Sequence, residues 1–154
     1  MKDDDQILPG KLLKNVANEL LRHYEAILRP YGLGAAGAPV LYYLSMGIAN
    51  TQSALAELTH VEQPSMAQCL ARLERDGLIV RVASHQDKRV REIQLTDTAK
   101  AIVPDVAIKL SHLNDRILAG FSPQETTQLR HLLKRILHNL LLEQSNSSTT
   151  NETP

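Results

Sequence analysis

The 154-residue chain lacks the residues that mark several common classes of protein. Its one cysteine, Cys69, excludes an internal disulfide, and no CxxC pair is present that would favour a zinc site. It contains no tryptophan, one phenylalanine and no run of 18 apolar residues, and the last of these absences argues against a membrane span. The N-terminus MKDDDQ is acidic where a signal peptide is basic, which predicts a cytoplasmic protein.

Charge of either sign is not in excess, because 17 basic residues balance 17 acidic ones. This balance excludes a chain that is basic along its whole length, but it permits a local basic patch. Hydrophobic residues make up 43% of the chain, which is enough for a folded core. Most of them are aliphatic, and the composition therefore predicts a domain built mainly from packed helices.

Apolar residues at helical spacing predict long helices near both ends of the chain. Over 7–28 two adjacent apolar stripes indicate burial against more than one partner. Thr96 can cap a helix over about 97–119, and Ser122-Pro123-Gln124-Glu125 is a capping box that opens another helix. The apolar face of that last helix is too wide for a helix at the edge of a domain in water, and the two stripes of the first helix are a hint of a contact between subunits. The polar tail 145–154 is expected to be disordered.

The middle of the chain carries signals for two short helices followed by a hairpin. Asn50-Thr51 can cap the first of these helices, and Pro64 suits the start of the second, which is predicted over 65–76. Only a brief turn separates them, which suggests a helix-turn-helix. Two runs rich in β-branched residues, 78–82 and 90–95, then predict a hairpin that would form a wing.

The helix-turn-helix and the wing share a local excess of positive charge. Between residues 65 and 91 six basic residues oppose three acidic ones, which gives this stretch a net charge of +3 in a neutral chain. A surface that binds the phosphate backbone of nucleic acid would have such a charge. Charge alone also fits a solvated basic face without a ligand.

Three short motifs in this region are more specific than its charge. They are Glu62-Gln63-Pro64-Ser65, Leu73-Glu74-x-x-Gly77-Leu78-Ile79-x-Arg81, and Asp87-x-Arg89 followed by Leu95-Thr96. The stretch 62–96 that contains them closely resembles the MarR/SlyA family of winged helix-turn-helix transcriptional regulators, and especially its SlyA branch. Weaker similarity continues from Ile117 into the last helix.

The resemblance implies a mainly α fold with a small β-hairpin wing in a single domain, 1–144. A DNA-binding winged helix over about 34–96 would be combined with dimerisation helices over about 7–28 and 97–144. The implied function is a homodimeric, sequence-specific transcriptional regulator that binds double-stranded DNA at a pseudo-palindromic operator and responds to a small molecule.

Particular residues are expected to contact DNA. The resemblance places the second helix of the helix-turn-helix in the major groove and Arg89 in the minor groove, where A·T-rich DNA concentrates negative potential. Gln68 stands where the SlyA branch has arginine, and glutamine prefers adenine. Asp87 either orients the wing by pairing with an arginine such as Arg81 or is simply a turn residue. The predicted DNA-binding residues are Gln63, Pro64, Ser65, Gln68, Arg72, Arg81, Asp87, Lys88, Arg89 and Arg91.

The resemblance also implies a ligand pocket between the dimerisation helices and the winged helix. Such pockets commonly take small aromatic acids, but this chain has Asn15 and Asn18 where SlyA-like proteins have arginines, and Arg22 is the substitute cation. Gly37-Ala38 stands where those proteins have a bulky aromatic residue. The predicted lining comprises Asn15, Asn18, Arg22, Gly37, Ala38 and Tyr42. A small aromatic or phenolic compound is the predicted ligand.

Two other functions are alternatives. The first is a winged helix used only for protein contacts. An exposed apolar patch in place of the wing would favour it, and the basic wing Lys88-Arg89-x-Arg91 argues against it. An enzyme would need a phosphate-cradling loop, a nucleophile elbow or a defined carboxylate pair, and the sequence offers none. Cys69 fits a small buried thiol better than a redox switch. Of the histidines only His131 and His138 share a helix face, too far apart for one ion, so no metal or cofactor is predicted.

Overall fold

The computed structural model describes residues 8–84 and 91–149. Within these ranges the chain consists of helices and one two-stranded antiparallel hairpin, which confirms the predicted mainly α fold with a small wing. The chain divides into two compact units after Leu113. No helix in the described ranges is both long enough and apolar enough to span a bilayer.

The first unit holds most of the elements. Their bounds are α1 Pro9–Leu28, α2 Gly37–Ser45, α3 Gln52–Thr59, α4 Gln63–Arg75, β1 Ile79–Ala83, β2 Arg91–Leu95 and α5 Asp97–Ile117, the last of which continues past the division. α1 begins two residues later than predicted because Pro9, which has no N–H to leave unpaired, occupies its first turn. A short 3-10 turn, Arg29–Tyr31, and Gly32 in the left-handed conformation end it.

The hydrophobic core of this unit lies among α2, α3, α4, the hairpin and α5. Its largest buried side chains are at most 2% exposed. They are Leu28, Leu41, Leu55, Met66, Leu70, Ile79 and Val40. α1 contributes only its last residue, Leu28, to this buried set. The rest of α1 therefore adds little to the core of the unit, and its apolar residues are largely exposed.

α2 begins at Gly37, and Pro39 lies within its first turn. Gly37 is buried and packs closely against α4. A Cβ at this position would lie only 3.0 Å from the Cδ2 atom of Leu73. Leu73 is itself buried, so it has little room to move. The absence of a side chain at residue 37 thus allows α2 and α4 to approach closely.

α5 is tied to the rest of the first unit at two places. The Thr96 hydroxyl accepts the Ala99 N–H (3.2 Å) and donates to the Gly77 carbonyl (2.7 Å), which confirms the predicted cap. Further along, Lys109 donates to Asp105 (2.9 Å) and to the Tyr31 hydroxyl, which in turn donates to Asp105. The Tyr31 and Lys109 hydrogen bonds lower the pKa of Asp105.

The second unit contains α6, Pro123–Thr149. Its start confirms the capping box, because the Glu125 N–H donates to the Ser122 hydroxyl (3.2 Å) while the Glu125 carboxylate accepts the Ser122 N–H (2.8 Å). The helix continues through 145–149, a segment expected to be disordered. No proline or glycine interrupts the chain between residues 124 and 149, so nothing in the sequence stops the helix from extending. Residues 150–154 of the predicted tail lie outside the described residues.

Removal of the capping hydroxyl should weaken the start of α6. Ser122→Ala is expected to lower stability by about 0.5–2 kcal/mol, measured by thermal unfolding at neutral pH. The hydrogen bonds from Ser122 also lower the pKa of Glu125. A carboxylate with a depressed pKa contributes stability above its unfolded pKa, and this stability is lost as the pH falls through its folded pKa.

The stability loss in Ser122→Ala should therefore be smaller in acid, below the ordinary glutamate pKa of about 4.3, than at pH 7. A second variant, Glu125→Gln, removes the carboxylate itself and should show the same pH dependence. A stability loss for Ser122→Ala that is the same at pH 7 and in acid would contradict this account of the cap.

Candidate nucleic-acid interface

The helix-turn-helix is formed by α3 and α4. The Thr51 hydroxyl caps α3 by accepting the Ala54 N–H (3.4 Å), as predicted. His60 then adopts a left-handed backbone (φ 52°), and the Val61 N–H donates to the Ala56 carbonyl (3.0 Å), so the chain reverses within a few residues. α4 begins at Gln63 with Pro64 in its first turn. This short turn fixes the two helices against each other.

The two faces of α4 differ sharply in exposure. Met66, Cys69, Leu70 and Leu73 are buried, which orients the helix in the first unit. The predicted DNA-binding residues of α4 all lie on its exposed side: Gln63, Pro64, Ser65, Gln68 and Arg72. Ser65, Gln68 and Arg72 follow one another at intervals of three and four, so they form one continuous outer row.

The first turn of α4 is also linked to α3. The Gln52 side-chain amide donates to the Gln63 side-chain oxygen (3.2 Å). The sequence gives no signal for the role of Gln52, because a surface glutamine at the start of a helix carries no motif of its own. Its amide now limits the positions that Gln63 can adopt.

Some arginines of the site form ion pairs with acidic side chains, and others do not. Arg75 binds Asp76 (2.9 Å), and Arg81 binds Glu74 (3.2 Å) with its side chain 34% exposed. Within 8–84 and 91–149, by contrast, Arg72 and Arg91 form no ion pair. Positive charge without an acidic partner on this surface is thus contributed by α4 through Arg72 and by β2 through Arg91.

The wing is a hairpin in which β1 pairs antiparallel with β2, with Ile79 opposite Leu95 and Ala83 opposite Arg91. Its connection, 85–90, lies outside the described residues, and so do the predicted contacts Asp87, Lys88 and Arg89. The proposed pairing of Arg81 with Asp87 is therefore untested, although Glu74 already binds Arg81. Arg91 is exposed at the start of β2, next to this connection.

The hairpin is fixed to the helix-turn-helix by backbone hydrogen bonds. The Ile93 N–H donates to the Asn50 carbonyl (2.7 Å), just before α3, and the Thr96 N–H donates to the Leu78 carbonyl (3.1 Å), which closes the base of the hairpin beside the end of α4. Ile93 is also buried in the core. These contacts join residues more than 15 positions apart, and they place the wing at a defined position beside α3 and α4.

A cavity of about 340 Å³ lies between α1, α2 and α5 in the first unit. Ala38 and Tyr42, two residues of the predicted ligand pocket, line it. Gly37 packs against Leu73 instead, as described above. Of the polar residues predicted for the pocket, Asn15 and Asn18 are exposed on α1 and Arg22 binds Glu19 (2.7 Å). Among the described residues, none of these three lines the cavity.

Among the described residues, neither Cys69 nor the histidines form a redox or metal site. Cys69 is 5% exposed, and its thiol donates to the Ala36 carbonyl (3.5 Å), in agreement with the predicted structural thiol. Burial raises the pKa of this thiol, and the charge of Arg72 only partly opposes the effect. In the described part of the chain, no three histidine, cysteine or acidic side chains are grouped so that they could hold a metal ion.

Comparison with known proteins identifies the group to which this architecture belongs. A model of the MarR family matches residues 40–90, which include α3, α4 and the first strand of the wing, β1. The crystal structure of the transcriptional regulator PA3341 is 31% identical, covers 85% of this chain and 96% of its own, and has a TM-score of 0.73.

Two further solved structures are similar in fold at lower identity. The S. aureus MepR–DNA complex has a TM-score of 0.79 at 21% identity and covers 86% of this chain and 96% of its own. The transcriptional regulator SlyA has a TM-score of 0.74 at 23% identity and covers 84% and 92%. SlyA is thus one relative among several, and assignment to its branch stays a prediction. From the PA3341 match and the family model, the chain belongs to the MarR family of DNA-binding transcription regulators.

Proposed function

We propose that the protein regulates transcription as a homodimer that binds a pseudo-palindromic operator and whose affinity for DNA changes when a small molecule binds. The observation that carries the proposal is the outer row of α4, where Ser65, Gln68 and Arg72 are exposed while the opposite face is buried. An exposed polar face on the second helix of a helix-turn-helix has the shape and chemistry to enter a major groove. The similar protein MepR has been crystallised with DNA.

The residues of this surface would have different roles. Gln68 has an amide that can bond two atoms of adenine at once, and Ser65 is short enough to contact a base or a nearby phosphate. Arg72 and Arg91 have no acidic partner in the described ranges, so they suit phosphate contacts. Arg75 and Arg81 already bind Asp76 and Glu74, which reduces the charge that they present to DNA. Gln63 and Pro64 would set the approach of the first turn of α4.

The wing should contribute through its tip. Arg89→Ala is expected to weaken operator binding by about 1–3 kcal/mol. The variant would lose a guanidinium whose positive charge and flat shape suit a narrow minor groove. Lys88→Ala serves as the matched control. It should cost less and mainly reduce the salt dependence of binding, as a phosphate contact does. Gel shifts at two salt concentrations measure both effects, and equal, negligible losses would remove the wing from the binding mechanism.

Exposed apolar side chains support the proposed homodimer. On the N-terminal side Leu8, Leu12, Val16 and Leu21 are 46–75% exposed. On α6 five leucines are 42–54% exposed: Leu132, Leu133, Leu137, Leu140 and Leu142. Apolar surface of this extent is unfavourable in water, and a second copy of the chain would remove it from solvent. Two-fold symmetry would then require an operator with two inverted half-sites.

A ligand in the cavity could affect the DNA-binding surface through a single helix, α2. Ala38 and Tyr42 of α2 line the cavity, while Gly37 of the same helix packs against Leu73 of α4. A molecule that shifts α2 must therefore shift or strain its contact with α4. Such a ligand would change DNA affinity to the degree that it prefers one of the two arrangements.

A gel shift with the DNA upstream of the protein's own gene tests the proposal. We expect a complex that resists an excess of unrelated DNA and that weakens steeply as salt rises. Equal affinity for the upstream and unrelated DNA would overturn the proposed sequence specificity. No complex with either DNA would instead support a winged helix used for protein contacts.

A further inference from the structure

The lining of the cavity between α1, α2 and α5 is electrically neutral. It consists of aliphatic side chains, Pro39 and three tyrosines, Tyr24, Tyr42 and Tyr43. Within the part of the chain that the structure describes, no lysine, arginine, histidine, aspartate or glutamate lines it. A carboxylate that entered such a cavity would lose its water without gaining a cation, and this is strongly unfavourable.

Two cations near the lining in sequence are already paired, and a third, Arg29, follows the lining residue Leu28 but is exposed and does not itself line the cavity. Lys109 precedes the lining residue Leu110 on α5, but its ammonium group donates to Asp105 and Tyr31. Arg22 precedes Tyr24 on α1 by two residues, but it binds Glu19 and is 74% exposed. Recruitment of either cation to the cavity would break a bond that exists and would bring a charge out of water.

The tyrosines give the cavity a preference among neutral molecules. Tyr42 and Tyr43 pack edge to face with their ring centroids 5.7 Å apart, and such a pair favours a further aromatic ring beside it. Within 8–84 and 91–149 the hydroxyl groups of Tyr24, Tyr42 and Tyr43 form no hydrogen bond with the protein. These groups can bond one polar group of a ligand.

We infer that the cavity binds small, uncharged aromatic molecules that carry one neutral polar group, and that it rejects the corresponding carboxylates. This inference rests on the proposed regulation by a small molecule, and it names the chemical class of that molecule. It departs from the aromatic acids that resemblance to the family suggests, because the residues that would bind an acid are absent from the lining. The volume of about 340 Å³ suits a one- or two-ring compound.

The test compares two probes of nearly equal shape, 2-naphthamide and 2-naphthoate, by calorimetric titration of the full-length protein at pH 7.5. The amide should bind with a dissociation constant at least about tenfold lower than that of the carboxylate, because only the carboxylate has to leave a charge unpaired. Equal affinities, tighter binding of the carboxylate, or no binding of the amide would each overturn the inference.

Two variants connect the preference to the cavity. Leu110→Arg places a guanidinium on the lining of α5, and it should reverse the preference so that 2-naphthoate binds more tightly than 2-naphthamide. Ser111→Arg adds the same charge at the adjacent exposed position, which does not line the cavity, and it should retain the wild-type preference. An unchanged preference in Leu110→Arg, with folding verified by circular dichroism, would contradict the assignment to this cavity.

A gel shift in the presence of each probe separates this inference from the proposed function. If the amide binds but does not alter the DNA complex, the chemical class of the ligand stands and the proposed regulation fails. If the protein binds its operator normally and the probes show no preference for the amide, the inference fails and DNA recognition is unaffected.

Discussion

Replacement of Leu137 by aspartate is expected to lower the affinity for a palindromic operator by about 10²–10⁴-fold, because binding through two linked half-sites would become binding through one. Leu137 is 42% exposed on α6 among other exposed leucines. A carboxylate at this position would have to lose its water in an apolar interface between two subunits. The variant should sediment as a monomer at micromolar concentration, whereas the wild type should sediment as a dimer.

Asn139→Asp is the matched control for this experiment. It adds the same charge to the same helix, at an exposed position two residues away that is already polar. This variant should remain dimeric and should bind the operator with nearly unchanged affinity. A monomeric wild type, or a dimeric Leu137→Asp variant with full affinity, would contradict the proposed role of α6.

Gln68→Arg is expected to change the base that each half-site prefers from adenine to guanine. Glutamine can bond adenine at N6 and N7, whereas arginine can bond guanine at O6 and N7. Each such bidentate contact discriminates by about 1–3 kcal/mol, and the substitution both removes the first contact and creates the second. The ratio of affinities for the two operators should therefore change by more than either contact alone would produce.

Added charge must be separated from the change in specificity. Arginine raises the affinity for every DNA sequence, so the decisive quantity is the ratio between operators with A and with G, measured for both proteins at one salt concentration. Ala71→Arg on the exposed side of α4 provides a control with the same charge. A constant ratio in Gln68→Arg, with affinity raised for all sequences, would mean that residue 68 faces a phosphate or the solvent.

The parts of the fold that sequence predicts well are those stabilised by local contacts. Thr51, Thr96 and Ser122 each cap a helix through bonds to residues three positions away, and proline stands in the first turns of α4 and α6. The buried side of α4 follows directly from its helical spacing. Such signals are contained in a few neighbouring residues, so a single sequence is enough to recognise them.

The parts that sequence does not predict depend on contacts between distant residues. The bond between Ile93 and Asn50 and the ion pair between Arg81 and Glu74 follow from how the hairpin packs on the helix-turn-helix. The close packing of Gly37 against Leu73 is another contact between distant residues, which a glycine-rich segment does not reveal. The lining of the cavity likewise joins three helices, and the spacing of residues along α1 does not reveal which of them face it.

Selection of DNA sequences by the full-length protein from a random pool tests the central claim most directly. The account predicts enrichment of an inverted repeat whose half-site centres lie about 10 bp apart, bound by two chains per repeat, because two symmetric copies of α4 would enter successive major grooves on one side of the helix. Enrichment of a single unrepeated site bound by one chain, or no enrichment of any sequence, would contradict it.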